Sequence, residues 1–218
     1  IPHNVDLIII PKCEEADEVR RISELIGSLI KEYDIQHEIY LMPVIETALG
    51  VENAFSIARS SRHVVAMAIG LEDYTADLGV SRTARGDESL YARTRLVNAA
   101  KAAGIQPIDS VFSDIDDLEA LRQNVQVSKS LGFEGMGCIH PRQIPVIRKG
   151  FLPDESEIGK AKTIVVAFED AKARGMGVIC IGSKMVDAPV VRRAERIIGL
   201  AVSEGLLPED WLTAEIKS

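Results

Sequence analysis

Short continuous apolar runs, each followed by a stretch whose apolar residues recur at helical spacing, are the feature that most limits how this chain can fold. Residues 5–10 form such a run, ending at Pro11, and Ile22, Ile26, Leu29, Ile30 and Tyr33 then lie on one face of a helix. The rhythm continues with a strand over 39–45, a short helix over 51–59 and a strand over 64–69. After a polar loop come a helix over 87–103, a strand over 107–112, a helix face at Leu118, Leu121, Val125 and Leu131, and a strand over 135–139. Continuous Val/Ile/Leu strands separated by helices predict an α/β protein with a parallel sheet. Neither the dinucleotide fingerprint G-x-G-x-x-G nor the P-loop pattern occurs, which favours a barrel over a nucleotide-binding doubly wound sheet. A complete barrel takes eight strands and about 250 residues. The expectation is therefore a TIM (β/α)8 barrel lacking its first three strand–helix units, with further residues ahead of Ile1 in the native protein.

The tail differs in character. A long helix is expected from Pro153 to about Arg174, then Gly175-Met176-Gly177, an apolar run over 178–181, and a last helix ending near Glu204. Two parts follow from this reading: residues 1–152, the five strand–helix units, and residues 153–218, a C-terminal helical extension or lid.

Charge and cysteine usage remove several functions. With 25 Lys plus Arg against 33 Asp plus Glu, a net charge of −8 and 5% aromatic residues, the 218-residue chain has no basic stripe suited to nucleic acid. The longest purely apolar run, 64–69, is far short of the roughly 18 to 20 residues that span a bilayer, so no membrane segment is expected. Three widely spaced cysteines, with no C-x-x-C, disfavour a disulfide framework and a structural zinc site, and point to the cytoplasm. The start, Ile1-Pro2-His3-Asn4, reads as an internal cut and not as a leader.

In a barrel the chemistry stands at the C-terminal strand ends, and these are polar here. Lys12 and Glu14 follow the first strand, Glu46 and Thr47 the second, Glu72 and Asp73 the third, Ser113 and Asp114 the fourth and His140 the fifth. Neighbouring strands lie about 4.8 Å apart, so Glu46 and Asp73 can share one hard cation, Mg²⁺ or Mn²⁺. The competing reading makes these acids helix N-caps.

Pro11-Lys12-Cys13-Glu14, the run from Ile45 to Ala54 and the run from Gly70 to Gly79 resemble the citrate lyase β-subunit/HpcH-HpaI aldolase family. So do Tyr91-Ala92-Arg93, Ile108-Asp109-Ser110-Val111, Gly132-Phe133-Glu134-Gly135, the run from Cys138 to Ile144, and Lys184-Met185-Val186-Asp187-Ala188-Pro189, all in the same order. The resemblance implies a TIM barrel in which Glu46 and Asp73 hold Mg²⁺. It also implies carbon–carbon bond cleavage in a 3-hydroxyacyl thioester of the citryl-, malyl- or citramalyl-CoA type, giving an acetyl thioester and an oxo acid. Asp187, from a neighbouring subunit, is the implied general acid/base, which requires a homo-oligomer, a trimer or larger. The thioester is carried on CoA or, with other citrate lyase subunits, on an acyl carrier. Lys12, Glu72, His140 and Pro141 are candidate substrate contacts. For Lys12 an ion pair with Glu46 stands as the alternative, for Glu72 an outer-shell or merely solvated role, and for His140 a structural corner before Pro141. Arg142, Arg148 and Lys149 are candidates for CoA phosphates or a solvated face. Two other functions stay open: condensation with thioester hydrolysis on the same site, and a non-catalytic assembly subunit.

Overall fold

A computed structural model describes residues 5–216, so the first four residues, read above as a cut end, lie outside it. The chain divides by its internal contacts after Phe151. The first unit runs β1 (Leu7–Ile10), α1 (Ala16–Glu32), β2 (Tyr40–Ile45), α2 (Ala48–Ala58), β3 (Ala66–Ile69), α3 (Leu71–Leu78), α4 (Leu90–Ala103), β4 (Gln106–Asp109), α5 (Leu118–Leu131), β5 (Gly135–Met136) and α6 (Ile144–Phe151).

The five strands pair in sequence order, β1-β2-β3-β4-β5, and every pairing is parallel. Right-handed crossovers that never reverse direction set all helices on one face of the sheet, unlike the doubly wound order, which reverses part-way. Burial follows that rule. Register places Ile10, Leu41, Ile45, Met67 and Ile69 on the face that packs with Val19 and Ile26 of α1, Val51 and Ile57 of α2, and Leu96 of α4. The opposite face carries Ile9, Met42, Val44, Ala68 and Ile108. Ile9 there is 54% exposed, an apolar side chain with little cover on the edge strand.

All five expected strands shorten in the structure: β1 starts at Leu7, β2 at Tyr40, β3 at Ala66, β4 ends at Asp109, and β5 is only Gly135–Met136. Several elements were absent from the periodicity reading, among them α6 and a short last helix at Trp211–Ile216. The polar loop after Ile69 contains α3, whose Leu71, Tyr74 and Thr75 are buried. The expected all-helical tail contains an antiparallel hairpin, β6 (Ile179–Ile181) with β7 (Lys184–Val186), turned by Gly182 at φ +59°. Glycine tolerates that left-handed backbone without a Cβ penalty. Around the hairpin, α7 (Glu155–Ala173), α8 (Ala188–Ser203) and α9 (Trp211–Ile216) build a separate core from Ala161, Val165, Ala194, Ile198 and Trp211.

Asp109, at the end of β4, is 2% exposed and charged by nature, so its carboxylate must be paired. Oδ1 accepts from Arg93 Nε (3.3 Å) and from the Ser110 N–H (2.8 Å), and Oδ2 accepts from Arg93 Nη2 and the Ser128 hydroxyl. One carboxylate thus joins α4, β4 and α5.

Cys13 is 1% exposed, whereas Cys138 and Cys180 are exposed and all three are free thiols. Burial, reinforced by the charge of Glu18, pushes the Cys13 thiol up to about 12. At pH 8 iodoacetamide is expected to label Cys138 and Cys180 and to spare Cys13 in the folded protein, with peptide mass spectrometry as readout. Replacement Arg93→Ala, which leaves the Asp109 charge buried alone, is expected to cost about 3–5 kcal/mol in urea denaturation.

Candidate functional site

The site begins with the corner that β1 turns into. Lys12 has a φ of +49°, a left-handed conformation unfavourable for a residue with a side chain. It is held there on both sides. Its N–H donates to Glu46 Oε2 (2.7 Å), and the next residue, Cys13, donates its N–H to the Val44 carbonyl (3.0 Å). Asn53 Nδ2 donates to the Glu14 carbonyl (2.9 Å), and a Cβ at Gly50 would come within 2.7 Å of the Cys13 carbonyl. The first helical turn of α2 therefore lies directly against the Lys12–Glu14 segment.

Glu46 follows β2 and Asp73 lies in the first turn of α3, after β3. The capping reading does not account for either. Thr47 is the N-cap of α2, its Oγ1 accepting from the Gly50 N–H (3.1 Å), and Asp77 Oδ2 accepts from the Ala48 N–H (2.8 Å). Glu46 instead lies over Gly70, where a Cβ would meet its Oε1 at 2.5 Å. Asp73 Oδ1 accepts from the Lys12 ammonium at 3.0 Å. The ammonium pairs with Asp73 and not with Glu46, as one sequence reading had it, and Glu46 receives the Lys12 backbone N–H instead. The Asp73 hydrogen bond and charge, with the charge of Glu46, hold the Lys12 ammonium above its ordinary pKa.

The corner thus gathers two carboxylates and one cation. Among the described residues no three His, Cys, Asp or Glu side chains converge as a ligand set. The protein's donors at this corner are two oxygen groups, and Glu46 Oε1 and Asp73 Oδ2 accept no hydrogen bond from the described residues. That set fits Mg²⁺ or Mn²⁺, which bind through one or two carboxylates and fill their remaining positions with water and substrate oxygens.

The other sequence candidates have defined places. Glu72 is ion-paired to Arg82 at 2.7 Å. His140 precedes a short 3₁₀ turn at Pro141–Gln143 and its Nδ1 accepts from the Arg142 N–H (3.2 Å), the corner expected before proline. Arg142 is paired to Asp116 at 2.7 Å. Asp187 belongs to the second unit, where it caps α8, Oδ1 accepting from the Val190 N–H at 3.3 Å with Pro189 in the first turn. Arg93, Asp109, Ser110 and Gly70 escaped the reading of individual residues. A charged residue in the apolar β4 run and an arginine on the buried face of α4 were the available signals. A concavity of about 460 Å³ lined by Arg59, Arg62, Val64 and Ile105 lies at the opposite, N-terminal ends of β3 and β4, away from the carboxylates.

Comparison with known proteins decides the family. The HpcH/HpaI aldolase/citrate lyase family matches residues 2–141. The chain belongs to this family. It is 40% identical to the citrate lyase subunit beta of Leuconostoc mesenteroides over 94% of this chain and 68% of that protein. It is 30% identical to the mitochondrial citramalyl-CoA lyase of Mus musculus over 90% of this chain and 60% of that one. The crystal structure of CitE from Mycobacterium tuberculosis in complex with magnesium, acetoacetate and coenzyme A superimposes with a TM-score of 0.73 at 30% identity, covering 90% of this chain and 68% of that chain. With these relatives the chain is a lyase, built on an α/β fold with a parallel sheet. No helix among the described residues is long and apolar enough to cross a membrane.

The packing of Glu46 on Gly70 yields a direct test. Gly70→Ala is expected to displace the Glu46 carboxylate, weakening Mn²⁺ binding by about tenfold or more and lowering the thermal melt as the Lys12 N–H loses its acceptor. Isothermal titration and circular dichroism on the same samples measure the two effects.

Proposed function

We propose that this lyase uses Mg²⁺, or Mn²⁺, held by Glu46 and Asp73, to cleave a 3-hydroxyacyl thioester of the citryl-, malyl- or citramalyl-CoA type into an acetyl thioester and an oxo acid. The observation that carries this reading is the convergence of Glu46 and Asp73 on the Lys12 corner, with neither acid spent on capping a helix. The metal would supply Lewis-acid polarisation of the hydroxyl oxygen that becomes the carbonyl of the oxo acid. Lys12, whose ammonium is exposed beside Asp73, offsets the two negative charges and presents a cation to the substrate carboxylate. Asp187 exchanges the proton with the acetyl carbon. One of its oxygens is committed to capping α8, which fixes the side chain, and the other is left for the proton. The His140–Pro141 turn borders the thioester arm, and Glu72, tied to Arg82, steadies the segment that carries Asp73.

In this reading the five strands are the later part of a TIM barrel of which three strand–helix units precede β1. Sequential strand order, helices on one face and the uncovered Ile9 on the edge strand support it. Residues 1–152 then supply the metal site and residues 153–218 a lid whose Asp187 serves a neighbouring subunit, in a trimer or larger ring. A CoA thioester is the proposed substrate, and an acyl carrier with further citrate lyase subunits is the proposed variant. Three free cysteines suit a reducing cytoplasm.

Glu46→Gln is expected to lower turnover by at least roughly 100-fold, since even outer partners of metal ligands matter 10- to 100-fold. The assay follows acetyl-CoA release from the three thioesters by mass spectrometry, with Mg²⁺ or EDTA. Wild-type turnover in EDTA would refute the metal reading. Asp187→Asn is expected to lower kcat by roughly 100-fold or more while leaving Mn²⁺ affinity unchanged, the mark of lost proton transfer.

A further inference from the structure

Helix α3 carries Asp73 as its third residue and starts without a cap of its own. Its N-cap is Gly70, which has no side chain to accept from the first helical N–H groups. Nothing larger fits: a Cβ there would meet Glu46 Oε1 at 2.5 Å and Glu46 Cγ at 2.7 Å. The usual reciprocal device is closed as well. An acid at the third position ordinarily reaches back to the N-cap N–H, but the Gly70 N–H already donates to the Ile45 carbonyl (2.9 Å), and Asp73 accepts from Lys12 instead. Both ordinary means of capping α3 are closed, one by the Glu46 side chain and the other by the Ile45 carbonyl and Lys12.

The orphaned group is served from another strand. The buried Leu71 N–H donates to Ser110 Oγ at 3.1 Å, across 39 positions of sequence. Ser110 is 6% exposed, just past the end of β4, and cannot wander. Its own N–H donates to Asp109 Oδ1 at 2.8 Å, and Asp109 is clamped by Arg93 and Ser128. The path from the Arg93 ion pair to the turn bearing Asp73 is therefore continuous: guanidinium, Asp109 carboxylate, Ser110 backbone, Ser110 hydroxyl, Leu71 N–H.

We propose that Ser110 is a positioning residue for divalent-cation binding: it caps α3 from the neighbouring strand and so holds Asp73 in register with Glu46. The inference rests on the reading of Glu46 and Asp73 as metal ligands. A helix N-terminal N–H left buried without a partner is costly, and relief comes by opening the first turn toward water. That turn carries Asp73, so the loss is felt as weaker metal binding and not only as lower stability.

The test compares wild-type protein, Ser110→Ala, Ser110→Thr, Ser110→Cys and Glu46→Gln. Mn²⁺ alone is titrated against each by electron paramagnetic resonance well below the melting temperature, and the Mg²⁺ dependence of lyase turnover is measured in parallel. Ser110→Ala is expected to bind Mn²⁺ roughly five- to tenfold more weakly, the size of effect an unpaired buried N–H produces. Its Mg²⁺ requirement should rise with kcat at saturating metal largely kept. Ser110→Thr, which retains the hydroxyl, restores wild-type affinity, and Ser110→Cys, with a weaker acceptor, falls between. A lower melting temperature in Ser110→Ala with unchanged Mn²⁺ affinity overturns the proposal. Should Ser110→Ala fail to fold, wild-type Mn²⁺ affinity in Ser110→Cys overturns it equally. If Glu46→Gln binds Mn²⁺ as tightly as wild type, the parent reading of the site has failed. Loss in Glu46→Gln beside full binding in Ser110→Ala rejects the role of Ser110 alone.

Discussion

The carboxylate of Asp109 is the constraint around which the first unit is arranged. A negative charge placed at the end of a parallel strand and sealed from water is affordable only with its hydrogen-bonding positions filled. Arg93 from α4, Ser128 from α5 and the Ser110 backbone fill them. A ring of directional bonds is less forgiving than an apolar contact, because displacing any member leaves a buried group unpaired. It therefore fixes how α4 and α5 sit on the sheet at the C-terminal ends of the strands. Phe133, whose ring lies 5.7 Å from the Arg93 guanidinium carbon, covers the pair with apolar surface.

The corner at Lys12 solves a different electrostatic problem. Glu46 and Asp73 repel each other, and neither is neutralised by a helix cap. A backbone N–H and an ammonium from one residue answer both acids, the N–H at Glu46 and the ammonium at Asp73. The left-handed backbone of Lys12 is the strain that this arrangement carries, and the close approach of Gly50 to the Cys13 carbonyl keeps it in place. Two glycines thus matter for what their missing Cβ permits: Gly50 admits the corner, and Gly70 admits the Glu46 carboxylate.

Much of this was legible from spacing alone. The alternation of apolar runs with helical faces located β1 to β5, α1, α2, α4 and α5 to within a few residues, since burial on one side of a parallel sheet leaves a strong pattern. That Glu46 and Asp73 come just after successive strands followed from the same alternation, though Asp73 sits in the first turn of α3. Helix α3 was hidden because its exposed acids, Glu72, Asp73 and Asp77, outweigh its few buried residues. The hairpin of β6 and β7 was hidden because three-residue strands are too short to display a period. Asp109 and Ser110 were visible as family-like residues, but nothing in their local sequence names Arg93, Ser128 or Leu71 as partners.

By itself, then, the sequence determined the class of fold and that acids follow the second and third strands. Hydrophobic periodicity and residue type are local properties, and they survive without knowledge of the contacts. Only the tertiary structure decided how those acids are held. It gave the Lys12 ammonium to Asp73 and the Lys12 backbone to Glu46, and it passed the capping of α3 to a serine 39 positions away. The physical reason is that a hydrogen bond depends on distances of about 3 Å in space, and separation along the chain leaves those distances undetermined until the strands have paired.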